Sequence, residues 1–102
     1  MKDIWLDTKG YIYLIKLTGI NEEFYKVGIT VNPKHRFSNF PYNVEVVKLY
    51  ETNLYSACYV EDWLLESFES LSYTPKIRFG GETECFSELP LSYNIIKERY
   101  NE

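Results

Sequence analysis

Apolar residues crowd two stretches near the start of the chain. Residues 10–18 read Gly-Tyr-Ile-Tyr-Leu-Ile-Lys-Leu-Thr and residues 24–30 read Phe-Tyr-Lys-Val-Gly-Ile-Thr. Both are dense in β-branched and aromatic side chains, and both predict strands. The link between them, Gly19-Ile20-Asn21-Glu22-Glu23, is short, polar and contains Gly, which predicts a hairpin. The two-residue period of a strand puts Tyr11, Tyr13, Ile15 and Leu17 on one face. In the second strand Lys26, Gly28 and Thr30 share one face, and Tyr25, Val27 and Ile29 share the other. A glycine inside a strand marks a bulge, a close approach by backbone or ligand, or a plain packing contact, and the spacing leaves these open for Gly28.

Farther along, the period changes. Asn32-Pro33 predicts a helix start, because Asn accepts from free amides and Pro suits the first helical position. That helix is expected to run from Pro33 to about Phe40, with Phe37 and Phe40 facing the core and Pro41 ending it. Residues 43–51 alternate and predict a third strand. Thr52-Asn53 offers a second cap, and the longest helix is expected over Leu54–Leu71. Its apolar stripe is Leu54, Ala57, Cys58, Leu64, Leu65, Phe68 and Leu71. Residues 72–83 read mostly as loop, with Lys76-Ile77-Arg78-Phe79 as a possible short strand. Glu84-Cys85-Phe86 reads as an edge strand or a packed loop, and a last helix is expected over residues 91–100.

The predicted order is β-β-α-β-α followed by a C-terminal helix. It implies one domain over residues 1–102, with its core at about 10–86. The fold class is α/β or α+β: a small central antiparallel three-stranded sheet flanked by helices.

Glu61 interrupts the stripe of the long helix. A carboxylate on a core-facing side is costly unless it is paired, protonated or bound to a cation. Three readings stand: an ion pair with a buried Arg or Lys, a place at the edge of the stripe, or a metal ligand. Lys34, His35 and Arg36 form a tight cationic cluster, which is either a solvated face or a phosphate-binding one. Lys76 and Arg78 add two further cations.

Composition narrows the function classes. Ten Tyr, six Phe and two Trp in 102 residues favour an aromatic, β-containing core. The net charge of −4 argues against a broad electrostatic grip on nucleic acid and leaves room for a local basic cleft. Cys58 and Cys85 lack metal-site spacing. Two lone thiols, with no leader pattern, lead us to expect a reducing, cytoplasmic setting. No apolar run is long enough to span a membrane.

Several of these residues together resemble the GIY-YIG nuclease superfamily. They are Tyr11-Ile12-Tyr13-Leu14-Ile15, then Lys26-Val27-Gly28-Ile29-Thr30, then Arg36, then Glu61-Asp62-Trp63-Leu64-Leu65 closing on Phe68. Glu84-Cys85-Phe86 resembles the Glu-Trp-Phe signature of a phage-type branch, whose second motif commonly reads Lys-Ile-Gly. Each short motif is weak alone, but four in this order are specific. The match spans about Gly10 to Phe86. Three positions depart from the pattern: Tyr11 stands for the first motif's Gly, Lys26 for the second motif's Tyr, and Ile29 for the Lys that often follows the Gly.

The resemblance implies a DNA endonuclease that hydrolyses phosphodiesters with one divalent cation, Mg²⁺ or Mn²⁺. It implies Glu61 as metal ligand, Arg36 as the phosphate-stabilising arginine and Tyr13 as the tyrosine that orients or deprotonates water. Lys26 completes the expected catalytic set if its head meets that of Tyr13. Lys34, His35, Arg36, Lys76 and Arg78 are the expected DNA contacts, with His35 a secondary catalytic candidate. DNA is the expected partner, with a protein partner supplying specificity, and the source is expected to be phage-like. The alternative is a catalytically impaired module on the same fold that binds nucleic acid or a protein.

Overall fold

A computed structural model describes residues 7–67, 69–77, 79, 80 and 84–88. The final helix expected over 91–100, the stripe residue Phe68 and the candidate contact Arg78 lie outside the described residues.

The predicted hairpin is the centre of the sheet. Strand β1 (Lys9–Gly19) pairs antiparallel with β2 (Glu22–Thr30), with Tyr13 opposite Gly28. Pairing of Gly19 with Glu22 leaves Ile20 and Asn21 as the turn. Asn21 has φ 55°, the left-handed region that Asn tolerates better than most residues. Helix α1 (Pro33–Ser38) follows, capped as expected by the Asn32 side chain, which accepts from the His35 amide at 3.1 Å. It stops two residues short of Phe40, where the Asn39 amide turns back to the Arg36 carbonyl. Strand β3 (Asn43–Asn53) pairs antiparallel with the other edge of β1. Its register slips between Leu14 and Ile15, a bulge that leaves Val47 without a directly paired residue. Helix α2 (Leu54–Ser67) starts at Asn53, whose side chain accepts from the Ser56 amide at 2.8 Å. A 3₁₀ turn at Glu69–Leu71 replaces the expected last turn of α-helix.

Among the described residues the sheet has four strands, not the expected three. Strand β4 (Cys85–Phe86) lies on the free edge of β2, giving the order β3-β1-β2-β4, all antiparallel. Two residues carry too little periodicity to separate an edge strand from a packed loop, so the sequence left that choice open. Lys76 and Ile77 form a bend and no strand. The result is an α+β protein with two helices among the described residues. None of its described helices is long and apolar enough to cross a membrane.

The strand alternation sorts the core into two layers. Ile12, Leu14 and Val27 pack against Ala57, Val60 and Leu64 of α2, with Phe86 at the margin. Tyr13, Ile15, Leu17 and Phe24 fill the opposite face with Phe40, Tyr42 and Cys85, against Phe37, Tyr73 and Phe79. Phe24 anchors that face: its ring meets Tyr42 edge-on at 4.9 Å and stacks on Tyr73 at 5.0 Å.

Glu22, expected in the hairpin link, is a buried strand residue. It accepts from the Tyr42 hydroxyl at 2.6 Å, the Tyr73 hydroxyl at 2.6 Å and the Lys76 amide at 2.8 Å. The Ile77 amide donates to Tyr42 Oη at 2.9 Å, so the network fastens residues 73–77 onto the hairpin end. Burial pushes the Glu22 pKa up, but these hydrogen bonds outweigh it and hold the group below its ordinary 4.5. The bond to Glu22, followed by burial, pushes the Tyr73 phenol up to about 12. A depressed folded pKa contributes stability that is present above the unfolded value and lost as pH falls through the folded one. Glu22→Gln is therefore expected to lower the melting temperature at pH 7, with the gap to wild type closing as the solution is acidified below 4.5. Melts across that range check this, and a gap independent of pH would remove the charge from the account.

Candidate functional site

The hairpin register builds the site's floor. Tyr13 lies opposite Gly28 and is 1% exposed. Its ring lies across that glycine so closely that a Cβ there would collide with Tyr13 Oη and Cζ. Of the readings left open at Gly28, the structure shows the packing contact, made by the side chain of Tyr13. The Phe37 ring from α1 closes on Tyr13 edge-on at 5.3 Å. Gly28→Ala is expected to eject the Tyr13 ring at a cost of about 1–3 kcal/mol, the usual range for overpacking. A crystal structure of the variant with Tyr13 unmoved would contradict this reading.

Lys26, two residues from Gly28 and on the same strand face, is 1% exposed. Its aliphatic stem belongs to the Tyr13 layer, with Nζ 5.7 Å from the Tyr13 ring centroid. The head does not go to the Tyr13 hydroxyl as the sequence reading required. It donates to the Val27 carbonyl at 3.2 Å and to Glu84 Oε2 at 3.0 Å. Strand pairing explains this. Lys26 pairs with Cys85, so β4 stops one residue short of Val27. Glu84 lies just before β4, where it interacts with Glu61 of α2. The ammonium turns round the sheet edge to reach it.

Glu61 reaches the same place from α2. The buried line of that helix is Ala57, Val60 and Leu64, so Glu61 stands beside it, half-buried, and not at its centre. The sequence stripe missed Val60 because a wide apolar face does not reveal which of its residues points straight inward. Burial, the negative charge of Glu84 and a hydrogen bond with Glu84 push the Glu61 pKa from 4.5 up to about 7, against the opposing pull of Lys26. With Lys26 paired to Glu84 at 3.0 Å, Glu61 is the carboxyl that takes up the proton. One ammonium faces two carboxyls, so ionising Glu61 leaves an excess negative charge that a cation relieves.

Arg36 lies on the Tyr13 side of the sheet. Its guanidinium carbon sits 4.3 Å from the Phe40 ring centroid, and Nη2 donates to the Gly80 carbonyl at 2.7 Å. Phe79 holds that segment in place, edge-on to Phe40 at 5.3 Å. Lys34 and His35 are exposed on the outer side of α1, where they line a shallow groove with Asn32 and Ser38. His35 Nε2 is 3.2 Å from the Asn39 side-chain nitrogen Nδ2. Lys76 belongs to the Glu22 network through its backbone, with its side chain exposed.

The structure therefore gathers Lys26, Glu61 and Glu84 at one point, with the Tyr13 ring centroid 5.7 Å from the Lys26 ammonium, whereas Arg36 is held apart from them by Phe40 and the Gly80 carbonyl. Glu84 was not among the residues that sequence reasoning selected, although it opens the Glu84-Cys85-Phe86 signature. Two carboxylates from separate elements suit a hard divalent cation such as Mg²⁺ or Mn²⁺. Such ions bind through one or two carboxylates and keep several waters. Among the described residues, no group of three or more His, Cys, Asp or Glu side chains forms a metal cage. The donor set present thus fits a cation completed by water and substrate oxygens. No family model, no curated protein and no solved structure matches this chain.

Proposed function

We propose that this chain is a GIY-YIG-type, metal-dependent endonuclease that hydrolyses DNA phosphodiesters. The observation that carries the reading is the Glu61 carboxyl, held half-buried against Glu84 and beside Lys26 with its proton affinity raised. A carboxyl perturbed by burial together with a specific charged neighbour is a functional-site candidate. The order of the other parts supports it: a tyrosine over a strand glycine, an arginine on the next helix, and an acid on the helix after β3.

A bound Mg²⁺ or Mn²⁺ supplies Lewis acidity to the phosphodiester and lowers the pKa of a water. Glu61 provides the carboxylate oxygen that holds it. Arg36 presents a planar fork to two phosphate oxygens and neutralises the charge that grows on them. The Phe40 ring and the Gly80 carbonyl keep that fork from sweeping free. Tyr13, immobilised by Phe37 and Gly28, is the fixed hydroxyl for orienting the attacking water. Lys26 contributes fixed positive charge under the phosphate. DNA is the substrate, and with a chain charge of −4 its binding rests on these few cations. Sequence specificity falls to a protein partner.

One observation favours a second reading, a non-catalytic module that binds DNA or a protein partner on the same fold. Tyr13 and Lys26 are each 1% exposed, so two of the reacting groups are covered. Incubation with supercoiled plasmid separates the two. The endonuclease nicks or linearises it with Mn²⁺, and EDTA abolishes cleavage. Salt-sensitive retardation of the plasmid without any nicking would instead establish the binding module.

A further inference from the structure

Lys26 is a cation already inside the site, and a competitor for any other. In the structure its ammonium is committed to Glu84 Oε2 at 3.0 Å and to the Val27 carbonyl at 3.2 Å. Both bonds follow from the fold. The pairing of Lys26 with Cys85 fixes Glu84 one residue beyond the end of β4, and the Val27 carbonyl lies one residue past the same point. Strand β4 is itself clamped, with the Tyr73 amide on the Cys85 carbonyl at 2.8 Å and the Ser87 amide on the Leu71 carbonyl at 2.9 Å. Glu84 is therefore placed by backbone, not by chance side-chain packing. Removing its charge leaves a Lys26 side chain that is 1% exposed with Glu61 as the remaining carboxyl that interacts with it among the described residues. A buried ammonium without a partner is costly, so it moves to the one that remains.

We infer that Glu84 is a positioning residue that retains the Lys26 ammonium and so leaves Glu61 available to a divalent cation. The inference rests on the endonuclease reading for the identity of that cation, though the placement of Lys26 is a property of the metal-free protein. Glu84 acts through Lys26. Neutralising it moves the Lys26 ammonium from Glu84 into the cation's place.

The test is a double-mutant cycle with two readouts. Mn²⁺ affinity is measured by titration calorimetry for wild type, Glu84→Gln, Lys26→Met and the double variant. Glu84→Gln is expected to weaken Mn²⁺ by about tenfold or more, the range seen when the supports of a metal ligand are removed. Lys26→Met is expected to bind at least as tightly as wild type, and the double variant to regain most of the loss. A double variant as weak as Glu84→Gln would overturn the inference, because Glu84 would then act without Lys26. The second readout needs no metal and only the single Glu84→Gln variant. NMR of the Lys26 side-chain amine is expected to show its hydrogen bond passing from Glu84 to the Glu61 carboxylate. An ammonium that stays where it was overturns the inference even if Mn²⁺ binds. If wild type binds no Mn²⁺ but the ammonium transfers, the retention of Lys26 by Glu84 stands, while its service to a cation and the metal-dependent reading both fall.

Discussion

Glu61→Gln is expected to abolish Mn²⁺ binding and plasmid cleavage together while leaving the metal-free fold intact. Gln keeps the size of Glu and nearly its helix propensity, so α2 has no local reason to change. The carboxyl it replaces has its pKa raised to about 7 by burial and by Glu84, so near neutrality it is already about half protonated. A neutral amide is a close stand-in for that protonated form. The sign of the pH effect follows. A carboxyl with a raised folded pKa binds its proton more tightly in the native state, so it destabilises the fold as pH rises from 4.5 through 7. The variant should therefore match or exceed the wild-type melting temperature without metal, by a margin that grows as pH rises from 4.5 through about 7 and levels off above it. It should lose the stabilisation that Mn²⁺ gives wild type through mass action. Melts of both proteins with and without Mn²⁺ check this. A large, metal-independent fall in the variant would show that Glu61 is half of a structural ion pair and would remove it from catalysis.

Arg36→Lys is expected to reduce cleavage by about a hundredfold or more, in line with removal of one preorganised charge-stabilising group. Lysine keeps the charge but not the planar fork, and it offers a point charge where two oxygens must be gripped. The structure adds a second reason. Arg36 stacks over Phe40 at 4.3 Å while bonding the Gly80 carbonyl at 2.7 Å, and one ammonium does not reproduce that combination of stacking and forked donation. Stability should fall by about 1 kcal/mol, the net worth of one hydrogen bond. Rates and melts measured on the same preparation separate the two effects. Undiminished cleavage by the lysine variant would take Arg36 out of the phosphate site.

The readable parts of the fold were the local ones. The β1–β2 hairpin, the Asn32 and Asn53 caps and the third strand each depend on residues within a few positions of one another, and each formed as the pattern predicts. Gly28 was legible as an anomaly, and its cause lies directly across the hairpin on the same face: the tyrosine paired with it covers it. Glu61 was legible as a carboxyl where an apolar residue was expected. Its partner was not, because Glu84 reaches it through a two-residue strand that carries no period of its own. Glu22 was hidden for the same reason. Its three hydrogen bonds come from Tyr42, Tyr73 and Lys76, which are 20 to 54 residues away in sequence. Lys26 misled in another way. Face parity correctly put it beside Tyr13, but parity gives the direction of the Cβ and not the end of a long flexible stem, which rounds the sheet edge.

The account turns on whether a divalent cation settles between α2 and the end of β4. Crystals soaked in Mn²⁺ and measured at the manganese absorption edge test that most directly. The account predicts one anomalous peak within about 2.2 Å of a Glu61 carboxylate oxygen, a little longer than the Mg²⁺–oxygen distance, with Lys26 still on Glu84. A site without a peak at saturating Mn²⁺, with Glu61 bonded only to Glu84 and Lys26, would contradict it.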